Sequence, residues 1–539
     1  DPIDVVMGNR TVSLDRQLAA VESLSNRMEG DRKGARALRA ILLGSPRCVE
    51  LAARTPDWMT SPYNVQAAKT ALSDLKNLNS SQKRAIVSAL TRSMTLWQGP
   101  PGTGKTRTLL GLAYVLRSLS NQSMSQKYKI GKILAIAETN AAADNLLAGM
   151  DILGLKAVRV GPVSKVRPDL RHLSWEAQAE ASRLGQRAAK MRDKSALMAI
   201  EARQLRDSNV LGAKTRASQL EFDSQRLWKS ASIEMNAAMD AVMVECEVVV
   251  TTCISAGDKK LSEHDFRVVI IDEATQATEP STLISLTRGT ECVVMAGDHR
   301  QLPPTVISKK AEKLGLDISM FARMQTLGIE SHLLQVQYRM HPLISEFPSQ
   351  EFYGGKVSTG ISESSRPPIR YHSQESEGFN PVSFVHCDDL ERRVRVQGEG
   401  SSSSVSYSNQ GQCDIAMSIL DAVHSDPSMK HCALLTPYNG QLDLMRRQLP
   451  DTYKSLVESG RLFLSTVDGF QGREADVVVF CTVRSNDRGS LGFLKDPRRM
   501  NVAITRARRS LIVIGSRETL MNDPTWKRWV EWISIQQDN

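Results

Sequence analysis

The stretch Gly99-Pro100-Pro101-Gly102-Thr103-Gly104-Lys105-Thr106 constrains this chain more than any other. It fits the spacing G-x-x-x-x-G-K-[ST], with the apolar run Met94 to Trp97 before it and a helical stretch, Thr106 to Ser118, after it. A strand, a glycine-rich loop and a helix in that order turn successive backbone N–H groups into one concavity. The helix N-terminus adds partial positive charge, so the hollow suits a polyphosphate. Lys105 would reach the β and γ phosphates, and the Thr106 hydroxyl would ligate Mg²⁺.

Other strands bring complementary groups to the same kind of edge. Val268 to Ile271 reads as a buried strand that delivers Asp272 and Glu273 at its carboxyl end, where open α/β sheets bind ligands. Asp272 would hold the metal and Glu273 would polarise an attacking water. Cys292 to Ala296 leads in the same way to Gln301, whose amide would sense a γ-phosphate. Lys132 to Ala137 ends in Glu138-Thr139-Asn140-Ala141, small and polar residues that either let another backbone approach or cap a helix; both readings stay open. Upstream, Asn79 or Ser80 would cap a helix over Lys83 to Leu90, and the Gln82 amide offers a donor and an acceptor that match an adenine edge.

The 539 residues suffice for three or four units, each burying its own core. No apolar run approaches the ~18 residues of a membrane span, and the start lacks a secretory pattern. Because the first residue is Asp1, the stretch is expected to be a fragment. The net charge of +10 favours a polyanionic partner. Eight scattered cysteines with no C-x-x-C pair read as buried thiols in a reducing compartment, with no zinc module expected.

Two helices are expected within residues 11–60. Residues 170–245 lack proline and are dominated by good helix formers, which predicts an inserted helical hairpin. From 165 to 234 the chain carries 14 Lys plus Arg against 9 Asp plus Glu, a surplus that reads first as a solvated face. Strand-like runs resume at Cys246 to Cys253. A second α/β half follows, with strands at Val382–His386, Cys432–Thr436, Leu462–Thr466, Val477–Cys481 and Leu511–Gly515. The run Gly398 to Ser404 reads as a loop. This half has no second phosphate loop and instead presents arginines, of which Arg339 and Arg506 are candidates to reach across a cleft and stabilise a transferring γ-phosphoryl.

In order and spacing, GPPGTGKT, DEATQATEP, GDHRQLPP, QVQYRMHP, TVDGFQGREADVVVF and DPRRMNVAITRARRSLIVIG resemble the motifs of superfamily 1 helicases, specifically the up-frameshift type of the 5′ to 3′ branch. The resemblance covers about residues 70–520. It implies an α/β fold of two tandem RecA-like P-loop NTPase domains, at 77–330 (helical insertion at about 165–245) and 331–539, behind an N-terminal helical stalk or remnant of an accessory domain at 1–76. It also implies an ATP- and Mg²⁺-dependent helicase or translocase on single-stranded RNA or DNA. An ATP-gated clamp that grips without unwinding is the alternative.

Carried over by position, the resemblance gives Gln82 to adenine and Gly99, Pro100, Pro101, Gly102, Thr103, Gly104, Lys105, Thr106, Arg107, Tyr338, Arg339, Gln471, Gly472 and Arg506 to the nucleotide. Glu474 goes to the ribose. Lys105, Asp272, Glu273, Gln301, Arg339 and Arg506 become catalytic, and Thr106 and Asp272 metal-holding. Nucleic acid would touch Asn140, Ala141, Thr251, Thr252, Thr466 and Val467. A monomer in cytoplasm or nucleus is expected, with protein regulators acting through domains outside this stretch. The family's Cys/His zinc domain and β-barrel are not visible here, and Leu302-Pro303-Pro304 looks more like the senataxin and immunoglobulin-mu-binding relatives.

Overall fold

The computed structural model describes residues 10–25, 33–120, 129–207, 211–286, 289–369, 372–373, 376–377, 380–397 and 403–538. Its first sheet has seven strands: β1 (Met94–Gln98), β2 (Ile133–Ala137), β3 (Ala157–Arg159), β4 (Val248–Thr252), β5 (Val268–Asp272), β6 (Cys292–Gly297) and β7 (Ser331–Leu333). They are all parallel, in the order β3-β4-β2-β5-β6-β1-β7. Strands buried on both faces need no polar alternation, which is why these segments read as continuous apolar runs. Alternate residues go to opposite cores. Leu134, Ile136, Val269 and Ile271 face one, while Ile133, Ala135, Val268 and Ile270 face the other.

Those cores take in the N-terminal helices. Leu38 and Ile41 join the first and Trp58 the second, and the Arg16 guanidinium donates to the Ile254 carbonyl at 2.8 Å. Residues 10–25 and 33–74, from the segment expected as a stalk or remnant, are therefore packed into the body of this first half. The expected boundary before residue 331 also moves, because β7 pairs with β1 and completes the first sheet. Three residues is too short a strand for periodicity to register.

The expected insertion is an antiparallel pair of helices, Arg183–Arg206 and Ala213–Glu245. Small buried residues recur every seven positions on each: Ala188, Ser195 and Ala202 on one, Ala217, Ser224 and Ala231 on the other. The spacing keeps one narrow seam facing the partner helix. Ser195 and Ser224 each donate to the other's carbonyl at 2.9 and 2.8 Å.

Short pairs follow, β8 (Val336–Gln337) with β9 (Ser358–Thr359) and β10 (His372–Ser373) with β11 (Ser376–Glu377). The second sheet contains β12 (Val382–His386), β15 (Cys432–Thr436), β16 (Leu462–Thr466), β17 (Ala475–Cys481) and β18 (Ala507–Gly515), all parallel in the order β12-β18-β17-β15-β16. Between β12 and β15 stands a hairpin of β13 (Arg392–Gln397) and β14 (Ser403–Ser408). The loop expected over Gly398 to Ser404 thus yields strand at its last two residues, and Gly398 to Ser402 lie outside the described residues. All eight cysteines are buried and free. Among the described residues no helix is long and apolar enough to cross a membrane.

Candidate functional site

The phosphate loop leaves the carboxyl end of β1 and is anchored at once, since the Gly99 N–H donates to the Gly297 carbonyl at 2.9 Å. Gly102 and Gly104 take φ of +74° and +79°, a left-handed backbone that disfavours any side chain. A Cβ on Gly102 would also lie 2.6 Å from the Arg339 Cβ. Thr103 closes the loop by donating to the Pro100 carbonyl at 2.7 Å. Lys105 folds back, its Nζ donating to the Gly99 carbonyl at 2.9 Å and lying 3.6 Å from a Glu273 carboxylate oxygen.

The carboxylates at the end of β5 face this loop. Thr106 Oγ1 donates to Asp272 Oδ2 at 2.7 Å. Asp272 is buried, and desolvation followed by the Glu273 charge lifts its pKa to about 6 against the pull of Thr106 and Lys105. Glu273 has φ of +50°, a conformation a non-glycine residue holds only when its surroundings demand it. Its carboxylate lies toward Lys105.

The second half meets the loop directly. The Tyr338 N–H donates to the Gly102 carbonyl at 2.9 Å, and the Tyr338 hydroxyl accepts from Asn79 at 3.0 Å. Arg339 pairs with Glu474 at 2.5 Å and donates to the Thr505 carbonyl at 3.2 Å. Burial alone would raise the Glu474 carboxyl, but Arg339, Arg508 and Arg506 together hold it below its ordinary value. Arg506 is 2% exposed. Burial and then the Arg339 charge push its pKa down to about 9, which still leaves it cationic at neutral pH.

Pro100, Pro101, Gly102, Gly104, Lys105, Thr106, Glu273 and Gln301 from the first half, with Tyr338, Arg339, Gly472, Glu474 and Arg506 from the second, enclose a cavity of about 280 Å³. That is close to the lower end of small-molecule cavities, ~300–1,000 Å³. Both arginines line this cavity together with the phosphate loop.

A buried polar chain runs away from this cavity across the boundary between the halves. Arg506 donates to Gln301 Oε1 at 3.2 Å, and Gln301 Nε2 donates to Asp298 Oδ2 at 2.8 Å. The Tyr353 hydroxyl donates to the same oxygen at 2.6 Å, and Asn501 donates to Tyr353 at 2.8 Å and to the Arg300 carbonyl at 2.9 Å. Sequence reasoning did not single out Asp298, Tyr353 or Asn501. Asp298 and Asn501 stand inside recognised motifs and were within reach, whereas nothing in the residues around Tyr353 signals a polar role.

Several expected contacts fall elsewhere. Gln82 is buried, with its oxygen accepting from the Asn79 N–H to complete a capping box and its nitrogen donating to the Thr103 carbonyl at 3.0 Å. The adenine-matching amide thus braces the phosphate loop. Glu474, expected at a ribose, lines the cavity and is paired there with Arg339. Gly99 and Thr103 support the loop from behind, Arg107 is exposed outside the cavity, and the Gln471 amide nitrogen is buried without a partner among the described residues.

Of the six positions expected at nucleic acid, Ala141 is exposed and Asn140 accepts from Arg159 at 2.9 Å. Thr139, not Asn140, caps the helix Asn140–Ile152. Thr251 is fully buried and donates to the Val160 carbonyl, while Thr252 binds Ser255 and is 8% exposed. Val467 belongs to the core, and the half-buried Thr466 accepts from the Gly469 N–H at 3.1 Å. The side chains of Thr251 and Val467 are therefore not surface groups, because a strand end that must seat on its own sheet turns alternate residues inward.

Two family models match, each described as an AAA domain, over residues 77–309 and 316–518. The chain is 34% identical over 464 residues to "Regulator of nonsense transcripts 1" of Caenorhabditis elegans, covering 85% of this chain and 40% of that one. It is 34% identical to the Arabidopsis thaliana homolog, covering 84% and 34%, and 33% identical to "ATP-dependent helicase upf1" of Schizosaccharomyces pombe, covering 85% and 46%. It thus spans less than half the length of these relatives. A solved arterivirus nonstructural protein 10 helicase overlaps 80% of this chain and 61% of its own, at 14% identity and a TM-score of 0.36, too weak a likeness to add to the strand order above. Two matched domains facing each other across an arginine-completed phosphate cleft, with these relatives, make this chain a member of the up-frameshift type of superfamily 1 helicases.

Proposed function

We propose that this chain is an ATP-driven motor that translocates 5′ to 3′ on single-stranded RNA or DNA and remodels duplexes or ribonucleoproteins. The observation that carries it is the cleft itself, which is half backbone loop from one sheet and half guanidinium groups from the other. A triphosphate seated there is a ligand that both halves share. It draws Lys105 away from the Gly99 carbonyl and Arg339 away from Glu474, replacing internal partners with phosphate oxygens. Lys105 then no longer neutralises Glu273, which is left to orient and deprotonate water. Arg506, held by the Val502 carbonyl and by Gln301, supplies fixed positive charge where the transferred phosphoryl spreads its negative charge. Hydrolysis removes the shared ligand and releases the closed state.

Thr106 and Asp272 suit Mg²⁺, being two hard oxygen donors held 2.7 Å apart beside the loop. When bound, the ion neutralises charge on the β and γ phosphates. The nucleic-acid path would run over the carboxyl edges of both sheets, past Asn140, Ala141 and Thr466, with Thr251 and Val467 buried beneath it and Thr252 nearly so. Buried free cysteines support a reducing compartment, cytoplasm or nucleus. We propose a monomer, regulated by protein partners acting outside this stretch, in surveillance of transcripts as the relatives' names suggest.

The test is ATP turnover with poly-U and with poly-dT, alongside strand displacement on 5′-tailed and 3′-tailed duplexes. Stimulated turnover with displacement only from 5′ tails is the expected result. Stimulated turnover without displacement would make the chain an ATP-gated clamp, and no stimulation by either polymer would overturn the motor.

A further inference from the structure

The β13–β14 hairpin belongs to neither nucleotide chemistry nor the core of its sheet. It leaves the carboxyl end of β12 and packs on the start of the helix Asn439–Gln448, where the Gly440 N–H donates to Ser406 Oγ at 3.0 Å. A Cβ on Gly440 would meet the Val394 side chain at 2.5 Å, so Val394 faces that helix. Strand alternation then sends Arg393 and Arg395 to the opposite face. Both are exposed, and among the described residues neither guanidinium has a hydrogen-bond or ion-pair partner. Of the carboxylates between β12 and β13, Glu391 pairs with Arg484 at 2.7 Å and Asp388 with His386 at 2.9 Å, while the exposed Asp389 lies against Gly411.

An aromatic row joins this basic face to the sheet edge. Tyr407, the cross-strand partner of Arg393, meets the Tyr438 ring at 5.5 Å, and Tyr438 meets Phe493 at 5.4 Å. Phe493 is 53% exposed, with the Arg499 guanidinium 5.0 Å from its ring centre. Tyr438 lies two residues beyond Thr436, whose carbonyl accepts from the Val467 N–H at 3.0 Å. Unpaired arginines beside an exposed ring on a sheet's carboxyl edge have the make-up of a single-strand binding surface, with cations for phosphates and a flat face for bases.

We propose that the hairpin is an arm that grips the single strand beyond the second sheet, Arg393 and Arg395 contacting backbone phosphates and Phe493 stacking on a base. This rests on the nucleic-acid reading above and adds a site to it. The occupant is a single-stranded polynucleotide, because alternating exposed cations in an extended strand match the repeating charge of a phosphate backbone.

The experiment measures binding of fluorescent oligo-U and oligo-dT across salt concentrations. Single-strand binding loses a slope of about 0.7 in log K against log salt for each phosphate contact removed. The double variant Arg393→Gln/Arg395→Gln should therefore show a slope shallower by about 1.4 and roughly tenfold weaker binding at moderate salt. Arg393→Lys/Arg395→Lys should keep the slope. Phe493→Ala should weaken binding several-fold with the slope unchanged. Wild-type slope in the Gln double variant, or equal losses in the Gln and Lys pairs, overturns the arm while leaving the motor standing. Failure of the wild-type protein to bind either polymer overturns both.

Discussion

The two parallel sheets share a topology class but approach the cleft by different means. The first half offers backbone: a loop of left-handed glycines, a helix N-terminus, and carboxylates fixed at strand ends by their neighbours. The second offers side chains on long stems: Arg339, held by Glu474, and the buried Arg506, held by Val502 and Gln301. One surface is shaped before any ligand arrives, and the other is held in place by substitutes such as Glu474. The proposed motor would keep recognition in the rigid half and place the mechanical signal in the half that must let go.

The most severe way to break that contrast is to neutralise one group from each side. Glu273→Gln should cut turnover by about 10³-fold or more while ATP binding persists, and Arg506→Lys should lower turnover by about 10³-fold, since a lysine cannot reproduce the planar fork. Single-turnover hydrolysis alongside equilibrium nucleotide binding separates the two effects. A rise in KM alone in the Arg506 variant would reduce the second half to a passive lid.

The fixed side can be probed by pH. Asp272 has a folded pKa of about 6, above its unfolded value, so the native protein binds more protons between about pH 4 and 6. Stability from this group therefore rises as pH falls through that window, while turnover falls about tenfold per unit below 6. Raising Mg²⁺ should move the acid limb of turnover to lower pH, because metal and proton compete for one carboxylate. A limb indifferent to Mg²⁺ would remove Asp272 from the metal site.

The link between the halves is tested by Tyr353→Phe, which takes one hydrogen bond from a buried Asp298 and should cost about 1–3 kcal/mol in urea unfolding. Nucleic-acid-stimulated turnover should fall with it, because Gln301 and Arg506 share that chain. Smallest of all, Glu474→Gln should change stability by less than about 1 kcal/mol, the carboxyl being 40% exposed, yet lower the KM for ATP a few-fold by freeing Arg339. An unchanged KM would mean that Glu474 holds nothing the nucleotide needs.

What could be read from residues in a row was whatever short-range backbone chemistry dictates. The loop from Gly99 to Thr106, the cap at Asn79, the buried strands ending at Asp272 and Gly297, and the proline-free pair of helices all depend on neighbours within a few positions. Arg339 and Arg506 were legible because small and apolar flanks leave a guanidinium little reason to be there except a distant anion. Folding alone assigned Gln82 to the phosphate loop, drew Thr251 and Val467 inward, enlisted residues 10–25 and 33–74 in the cores of the first half and strung Tyr353 between Asp298 and Asn501. Each of those outcomes depends on which group, distant in the chain, arrives within hydrogen-bonding distance, and burial makes the polar ones compulsory: a desolvated amide or hydroxyl must take the partner the packing supplies.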